Sequence, residues 1–174
     1  MAYYDVVRSG MANTLDIFKR LGFKGVAVEG RDFDFSKDPG SANRKAVVYS
    51  SKSENLVPYF KNGASAIIPQ NPEVLGEMRK YVNEMQDYGT SFIIDASAIE
   101  NAYGTYRALL IGKFRDCTGI MLGRGIRVGI ASLARNNMEV LAPVQLIAIC
   151  KALGIETNDA KKALSENRSI ISKL

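Results

Sequence analysis

Residues 127–174 have the sequence RVGIASLARNNMEVLAPVQLIAICKALGIETNDAKKALSENRSIISKL and carry the clearest structural signals in this chain. The opening run RVGIASLA is almost wholly apolar, which is typical of a parallel strand covered on both faces, and we place that strand at Val128–Ala131. Pro143 suits the first turn of a helix and Gly154 suits its end, while Thr157 caps a further helix. The stretch therefore predicts a buried strand followed by closely spaced short helices.

Short apolar runs of the same kind occur five more times, separated by helical or turn signals. They lie at residues 3–7, 25–28, 46–49, 66–68 and 91–94. A further helical pattern begins beyond Gly104 and contains Tyr106, Leu110 and Phe114 at helical spacing. Short strands alternating with helices predict a parallel sheet. Six strands are too few for a regular eight-stranded barrel, so an open doubly wound sheet and a degenerate barrel both stay open on the residues alone.

The longest loop signal is the segment EGRDFDFSKDPGSANR, residues 29–44. It is rich in glycine, aspartate, serine and proline, which favour turns. Phe33 and Phe35 are unusual in such a loop. Either both rings pack back onto the core, or they form a pair that docks a partner or stacks on bases. We favour the packing interpretation.

Length and composition predict a single domain spanning residues 1–174. With 174 residues, 47% of them hydrophobic, the chain can bury one sizeable core. No apolar run approaches the roughly 20 residues that span a bilayer, and the first residues lack the pattern of a signal peptide. We therefore expect a cytoplasmic protein without a membrane partner. Cys117 and Cys150 have neither metal-ligand spacing nor a disulfide framework, so both are expected to be reduced and structural.

The chain has no histidine, which removes the commonest general base, the commonest metal ligand and every imidazole-dependent triad. Reactive residues of βα folds lie at the C-terminal ends of strands, which singles out Glu29 and Asp95. Together with Asp5 in the first strand they would make a carboxylate cluster for Mg²⁺. A loop-cap or surface role is the more economical interpretation, since one carboxylate per strand end often arises by chance. Ser97 and Glu100 have the spacing of a capping box, which predicts that a helix begins there.

The formal charge of +5 is unevenly distributed. Residues 1–87 contain 12 basic and 11 acidic side chains, whereas residues 88–174 contain 11 basic and 7 acidic. One run of cations in the second half is opposed within its span only by Asp116; it consists of Arg107, Lys113, Arg115, Arg124, Arg127 and Arg135. This set is either a solvated face or a surface that contacts backbone phosphates. The asymmetry favours a polyanionic partner without identifying one.

Three passages in fixed order resemble one protein family. The strand RVGIASLA and a polar loop lead to VLAPVQLIAICKALGI, and AKKALSENRSII follows at residues 160–171. Upstream, NGASAIIP at residues 62–69 is similar to the K-G-x-D-A-I-I-S-P passage of that family. The family is ribonuclease P protein component 3, the thirty-kilodalton subunit of archaeal and eukaryal RNase P. In its members, a leucine-rich helix is followed by a second helix that carries an A-K-x-A-x-S pattern and ends in I-[IL]. The resemblance covers residues 45–174 well and the first 44 loosely.

The resemblance implies a degenerate TIM-like βα barrel of about six to seven parallel strands with extra C-terminal helices. The related PHP phosphoesterases carry an H-x-H metal-binding pair after the first strand, where this chain has DVVRS at residues 5–9. The implied barrel has therefore lost its metal site. Two departures from the family are visible. The chain lacks about one strand–helix unit near residues 30–50, and Leu141-Ala142-Pro143 replaces the usual Arg-x-Pro before the leucine-rich helix.

The resemblance implies a non-catalytic subunit of RNase P, the ribonucleoprotein that removes 5′ leaders from precursor tRNA. The chain would pair with ribonuclease P protein component 2 and stabilise the RNase P RNA, meeting precursor tRNA indirectly. Mg²⁺ would act on the RNA, and no cofactor is expected on the protein. Lys161, Lys162 and Arg168 of the last helix join the basic set as expected RNA contacts.

Two other functions stay open. One is a stand-alone βα-barrel enzyme that acts on a phosphorylated small molecule, with Asp95 or Glu29 as acid or base. It requires a deep polar pocket at the C-terminal ends of the strands. The other is a barrel-like scaffold with protein partners only.

Overall fold

The structure, a computed structural model, describes residues 1–11, 15–36, 39–41, 46–50 and 55–171. Within these residues the chain forms seven short strands and eight α-helices. The strands are β1 Tyr4–Val7, β2 Gly25–Val28, β3 Asp34–Ser36, β4 Ala46–Ser50, β5 Ala66–Pro69, β6 Ser91–Asp95 and β7 Val128–Ala131. The helices are α1 Leu15–Arg20, α2 Val57–Lys61, α3 Pro72–Glu77, α4 Val82–Tyr88, α5 Ala96–Glu100, α6 Gly104–Gly123, α7 Pro143–Ala152 and α8 Thr157–Ile171.

The strands pair in parallel and in sequence order. β1 pairs with β2, and β3 to β7 form a five-stranded sheet. A bridge between Glu29 and Phe33 links the end of β2 to the start of β3. At the other edge, the N–H of Leu133 donates to the carbonyl of Val6 at 3.0 Å and links the segment after β7 to β1. Among the described strands this order lacks the reversal of a doubly wound sheet, and it is compatible with a barrel-like fold.

One side-chain cluster fills the inside of this barrel-like arrangement and draws on all seven strands. It packs small and aliphatic side chains around the ring of Phe33. Its members are Val6, Ala27, Phe33, Val47, Ala66, Ile68, Ile93, Ala131 and Leu133, with Phe35 of β3 packed against them. A small barrel requires such a mixture of sizes because it encloses little space. The inside is therefore a packed core.

A second and larger cluster lies between the strands and the surrounding helices. Leu146 and Cys150 of α7 belong to it together with Ala160 and Leu164 of α8, so each of the two helices buries one face in this cluster. Cys117 and Cys150 are free cysteines, and both are buried. Mainly because of this burial, the pKa of each thiol is raised to about 12. Among the described helices, none is long and apolar enough to cross a membrane.

The prediction of one long loop at residues 29–44 is wrong in part, because residues 34–36 form β3. Phe33 is buried at 2% exposure, and its ring lies edge-to-face on that of the half-buried Phe35 with centroids 5.3 Å apart. The packing interpretation of the two rings is thus confirmed. Where the links around β3 are described, they contain a 3-10 turn at Pro39–Ser41 and no α-helix.

The carboxylate of Asp5 holds β1 against the segment that follows β7. Asp5 is fully buried, and its Oδ1 accepts hydrogen bonds from the N–H groups of Val6 and Ser132, both at 2.8 Å. Its Oδ2 accepts the hydroxyl of Ser132 at 2.5 Å. Burial raises the pKa of Asp5 from 3.8 to about 6, although these hydrogen bonds act in the opposite direction.

Asn167 of α8 supports the same seam from the outside. Its side-chain amide donates to the carbonyl of Tyr4 at 2.8 Å and to that of Ile130 at 2.7 Å. One buried amide therefore bridges β1 and β7, using both of its donors. Because α8 packs against both strands, the last helix is part of the seam between them.

Replacing Asp5 by asparagine tests this seam through its pH dependence. A carboxyl with a raised folded pKa binds its proton more tightly when folded, so its contribution to the free energy of unfolding is present below about pH 4 and lost by about pH 6. The amide keeps an acceptor for Val6 and Ser132 but cannot ionise. Relative to wild type, Asp5→Asn should gain roughly 2–3 kcal/mol between pH 4 and pH 7, as a shift of about two pKa units requires. Urea denaturation at the two pH values measures the difference.

Asp5→Ala is the matched control, since it removes the charge and the acceptors together. It should be destabilised at both pH values, because the Ser132 N–H loses its buried partner. A difference between wild type and Asp5→Asn that does not change with pH would contradict the proposed role of the buried charge.

Candidate functional site

A cavity of about 490 Å³ opens at the C-terminal ends of β5, β6 and β7. Gln70 follows β5, Asp95 ends β6, and Arg135 and Glu139 come from the loop after β7. Asn101 and its neighbours in the link between α5 and α6 form the far wall. The volume lies within the range of small-ligand sites, roughly 300–1,000 Å³. The cavity occupies the position at which βα folds bind their ligands.

Asp95 is a buried wall residue whose carboxylate begins helix α5. Its Oδ1 accepts the N–H of Ala98 at 2.9 Å and the hydroxyl of Ser97 at 2.7 Å. The predicted capping box at Ser97 and Glu100 is therefore wrong, because the cap lies two residues earlier and Ser97 donates to it. Aspartate and serine are equally good N-caps, so the spacing alone did not separate the two positions. Asp95 has the loop-cap role that we favoured over catalysis.

The loop after β7 is held by its own side chains. Leu133 has a positive φ of 48°, an uncommon conformation that turns the chain away from the strand. Glu139 accepts the N–H of Arg135 through Oε2 at 2.8 Å and the amide of Asn136 through Oε1 at 2.8 Å. These contacts fix the backbone at Arg135, whose side chain lines the cavity.

Two tyrosines at the edge of the cavity are widely exposed. Tyr103 is 79% exposed and Tyr106 is 50% exposed, and both line the cavity. The helical pattern that contains Tyr106, Leu110 and Phe114 is confirmed, but Tyr106 lies in the first turn of α6 and is exposed, whereas Leu110 and Phe114 are buried. The sequence analysis did not select Tyr103 at all. The available signal was the position of the two rings on either side of Gly104, where the link between two helices leads into α6.

The three carboxylates considered for a metal cluster do not meet. Glu29 lies at the end of β2, where its Oε2 accepts the N–H of Ser9 at 3.3 Å and stands 4.0 Å from Arg8 Nη1. Asp5 lies in the seam between β1 and β7, and Asp95 caps α5. In the part of the chain that the structure describes, no group of three or more histidine, cysteine or carboxylate side chains is placed to hold a metal ion.

The predicted RNA-binding cations on α6 lie on different sides of that helix. Arg107 lines an apolar groove against α7 together with Ile149. Lys113 lines a groove against α3, beside Arg79. Arg115 donates to the carbonyl of Ala152 at 2.9 Å and so caps the end of α7, which gives this cation a structural role.

Arg124, Arg127 and Lys162 lie at the N-terminal side of β7, away from the cavity. Arg127 and Lys162 line a shared groove that also contains Asp159 and Glu166. Arg127 donates to the carbonyl of Gly89 at 2.8 Å, which fixes the turn that precedes β6. Arg124 follows the last residue of α6 and is exposed.

The remaining predicted cations are on α8 and in the cavity. Lys161 is half-buried, and the guanidinium carbon of the exposed Arg168 stands 5.7 Å from the ring centroid of Tyr4. Arg135 alone of the predicted set lies at the C-terminal ends of the strands. The nine cations therefore occupy several surfaces, and whether any of them contacts RNA stays a prediction.

The fold and the cavity define a class, a small parallel βα protein with a barrel-like core and a polar cavity at the C-terminal strand ends. Among solved structures, the chain is similar to a chain of the cryo-EM structure of archaeal ribonuclease P with mature tRNA. The TM-score is 0.63 at 18% identity, covering 97% of this chain and 90% of that chain. A crystal structure of an uncharacterized protein matches with TM-score 0.57 at 9% identity, covering 98% of this chain and 74% of that chain.

No family model and no curated protein matches the sequence. At the identities of the two structural matches, the likeness concerns the fold. The match to a chain of archaeal ribonuclease P supports an RNase P-like fold.

The hydrogen bond from Arg127 to Gly89 predicts different effects for two neighbouring arginines. Arg127→Ala should lower the free energy of unfolding by about 1 kcal/mol, because a charged donor to a backbone carbonyl is lost at a partly exposed site. Arg124→Ala should change it by less than about 0.5 kcal/mol, as is usual for an exposed side chain. Urea denaturation of both variants measures this, and equal losses would show that the contact carries no stability.

Proposed function

We propose that this chain is a non-catalytic protein subunit of ribonuclease P, of the component 3 type, that binds and stabilises the RNase P RNA. The likeness to a chain of archaeal ribonuclease P over 97% of this chain is the observation that carries the proposal. The ordered passages at residues 62–69 and 127–171 support it independently, since they concern the sequence and not the shape. The excess of cations in the second half supplies the charge that an RNA partner requires.

In this function the fold acts as a rigid scaffold. The hydrogen bonds from Leu133 to Val6 and from Arg8 to Ala134, both 3.0 Å, support a seven-stranded barrel that closes between β1 and β7. A packed barrel holds its outer cations at fixed spacings, so these cations can bind the phosphates of an RNA backbone independently of the RNA sequence. The proposed protein partner is ribonuclease P protein component 2, and contact with precursor tRNA is indirect. The proposed role of Mg²⁺ is at the RNA, and the proposed location of the complex is the cytoplasm.

The contacts of the cations divide them by task. Arg115 and Arg127 donate to backbone carbonyls of Ala152 and Gly89, so their charges serve the fold first. Arg124 and Lys162 are exposed at the N-terminal side of β7, and both are available to phosphates. We propose these two as phosphate contacts, because an exposed cation binds a phosphate without breaking a structural bond.

Recovery of RNA with the chain tests the proposal directly. A tagged chain purified from cells of its source should carry one structured RNA of a few hundred nucleotides, and that RNA should support cleavage of precursor tRNA. Recovery of proteins without RNA would favour the alternative function, a barrel-like scaffold with protein partners only. Recovery of neither RNA nor protein would contradict the RNase P function.

The salt dependence of RNA binding tests the two proposed contacts. Arg124→Ala with Lys162→Ala should weaken binding and flatten the slope of log affinity against log salt by roughly 0.7 to 0.9 for each lost contact. The matched control replaces Lys19 and Lys80, two exposed lysines of the first half that stand 3.9 Å and 3.2 Å from Asp16 and Glu77. The control removes the same charge and should keep the wild-type slope. Equal slopes for all three proteins would show that RNA is bound elsewhere.

The cavity also favours one alternative, the stand-alone enzyme acting on a phosphorylated small molecule. That function requires a polar pocket at the C-terminal strand ends, and a cavity of about 490 Å³ with Asp95 in its wall lies there. Against it, Asp95 accepts two hydrogen bonds as a helix cap, and Glu29 is not a wall residue. A carboxylate committed to a helix cap is poorly placed as a general base, because its Oδ1 already accepts from Ser97 and Ala98.

We therefore expect the purified protein to hydrolyse no phosphate monoester or diester, with or without added Mn²⁺ or Mg²⁺. Chromogenic phosphate esters measure this, and Asp95→Ala is the comparison. Turnover by the wild type that disappears in Asp95→Ala, while the melting temperature of the variant stays above the assay temperature, would establish the enzyme and overturn the non-catalytic function.

A further inference from the structure

We infer that the cavity at the C-terminal ends of β5, β6 and β7 binds one unpaired nucleotide of an RNA, whose base stacks on Tyr103 or Tyr106. The inference rests on the proposed RNA-binding function and adds a contact that the basic residues do not supply. It assigns a ligand class to a cavity that has no part in the phosphate contacts of Arg124 and Lys162.

The exposure of the two tyrosines is the first observation. Tyr103 and Tyr106 are 79% and 50% exposed at the edge of a concave site. Large rings left in water at such a site can cover a ligand at little entropic cost, since a tyrosine side chain has few rotatable bonds. Every nucleobase has a flat face, so tyrosine stacks on bases without selecting a sequence.

The polar groups that line the same cavity are the second observation. In the described part of the chain, the side-chain amides of Gln70 and Asn101 make no hydrogen bond, although the backbone N–H groups of both residues do, to Ser50 and Ser97 at 2.9 Å. The backbone is therefore fixed while the amides remain available. An amide presents a donor and an acceptor together, which is the pattern that the edges of bases offer in return.

The charges of the wall decide between a nucleotide of a chain and a small phosphorylated molecule. Arg135 contributes one positive charge, whereas Asp95 and Glu139 contribute carboxylates. Two carboxylates in the wall repel a phosphate group inside the cavity, whereas they do not repel a neutral base. One arginine suffices for the single backbone phosphate of an RNA nucleotide at the opening. The wall therefore suits a base better than a polyphosphate or a sugar phosphate.

The geometry predicts a contact that is insensitive to salt. Stacking involves no released counterion, so removing the rings should lower the affinity without changing the slope against log salt. Single-stranded RNA of 12 nucleotides with a central 2-aminopurine is the probe, because the fluorescence of this base is quenched when it stacks. Wild type should quench the probe, and Tyr103→Ala with Tyr106→Ala should abolish the quenching and weaken binding about tenfold or more at constant salt.

Two variants serve as controls. Tyr103→Phe with Tyr106→Phe keeps both rings and should retain wild-type binding and quenching. Tyr88→Ala removes a tyrosine that is 46% exposed at the end of α4, away from the cavity, and should behave as wild type. All variants should share the wild-type melting temperature, because the replaced side chains are exposed.

The outcomes separate this inference from the proposed function. If wild type binds no RNA even at low salt, both fall. If wild type and the double alanine variant bind the RNA probe and quench its fluorescence equally, the inferred nucleotide site is contradicted, whereas the proposed RNA-binding function is not. Displacement of the probe by ribose 5-phosphate, at concentrations at which uridine does not compete, would place a phosphorylated small molecule in the cavity and overturn the inference.

Discussion

The fold depends on the seam between the first and the last strand. Strands as short as these cannot hold a barrel-like sheet by ladder hydrogen bonds alone, and side chains complete the seam here. Asp5 accepts the Ser132 N–H at 2.8 Å, while Asn167 donates to carbonyls of both strands. This arrangement buries the carboxylate of Asp5 away from solvent, and the burial raises the pKa of Asp5 to about 6. The protein tolerates this because breaking the seam would open the core that all seven strands share.

The same seam positions the cavity. Ser132 is fixed by Asp5, Leu133 turns the chain with its positive φ, and Arg135 reaches the wall of the cavity two residues later. Glu139 then locks the loop by accepting the Arg135 N–H. A change at β1 would therefore alter a site whose other walls come from β5, β6 and α6. On the proposed function, this rigidity suits a protein that presents an RNA with a preformed surface and performs no chemistry.

Charge alone does not define the RNA-binding surface. Nine of the eleven cations in the second half of the chain were predicted to contact RNA, yet Arg115 and Arg127 are engaged with backbone carbonyls. A cation that closes a turn contributes its charge to the surrounding field without offering free donors to a phosphate. The proposed interface is therefore smaller than the count of basic residues suggests, and the stacking site at Tyr103 and Tyr106 lies on a different surface.

Local sequence patterns were enough to predict the parallel α/β class of this fold. Each of six of the seven strands coincides with a short apolar run, and most helices begin or end at a typical capping or stop residue. The missing histidines likewise determined which chemistries were closed to the chain. Only the tertiary structure decided the rest. A three-residue strand is too short to show periodicity, so β3 was hidden in a loop signal. Asp5 and Ser132 are 127 residues apart, and Gln70, Asp95 and Arg135 meet only where three strands end side by side. Contacts between distant residues follow from the order in which strands pair, which no local pattern contains.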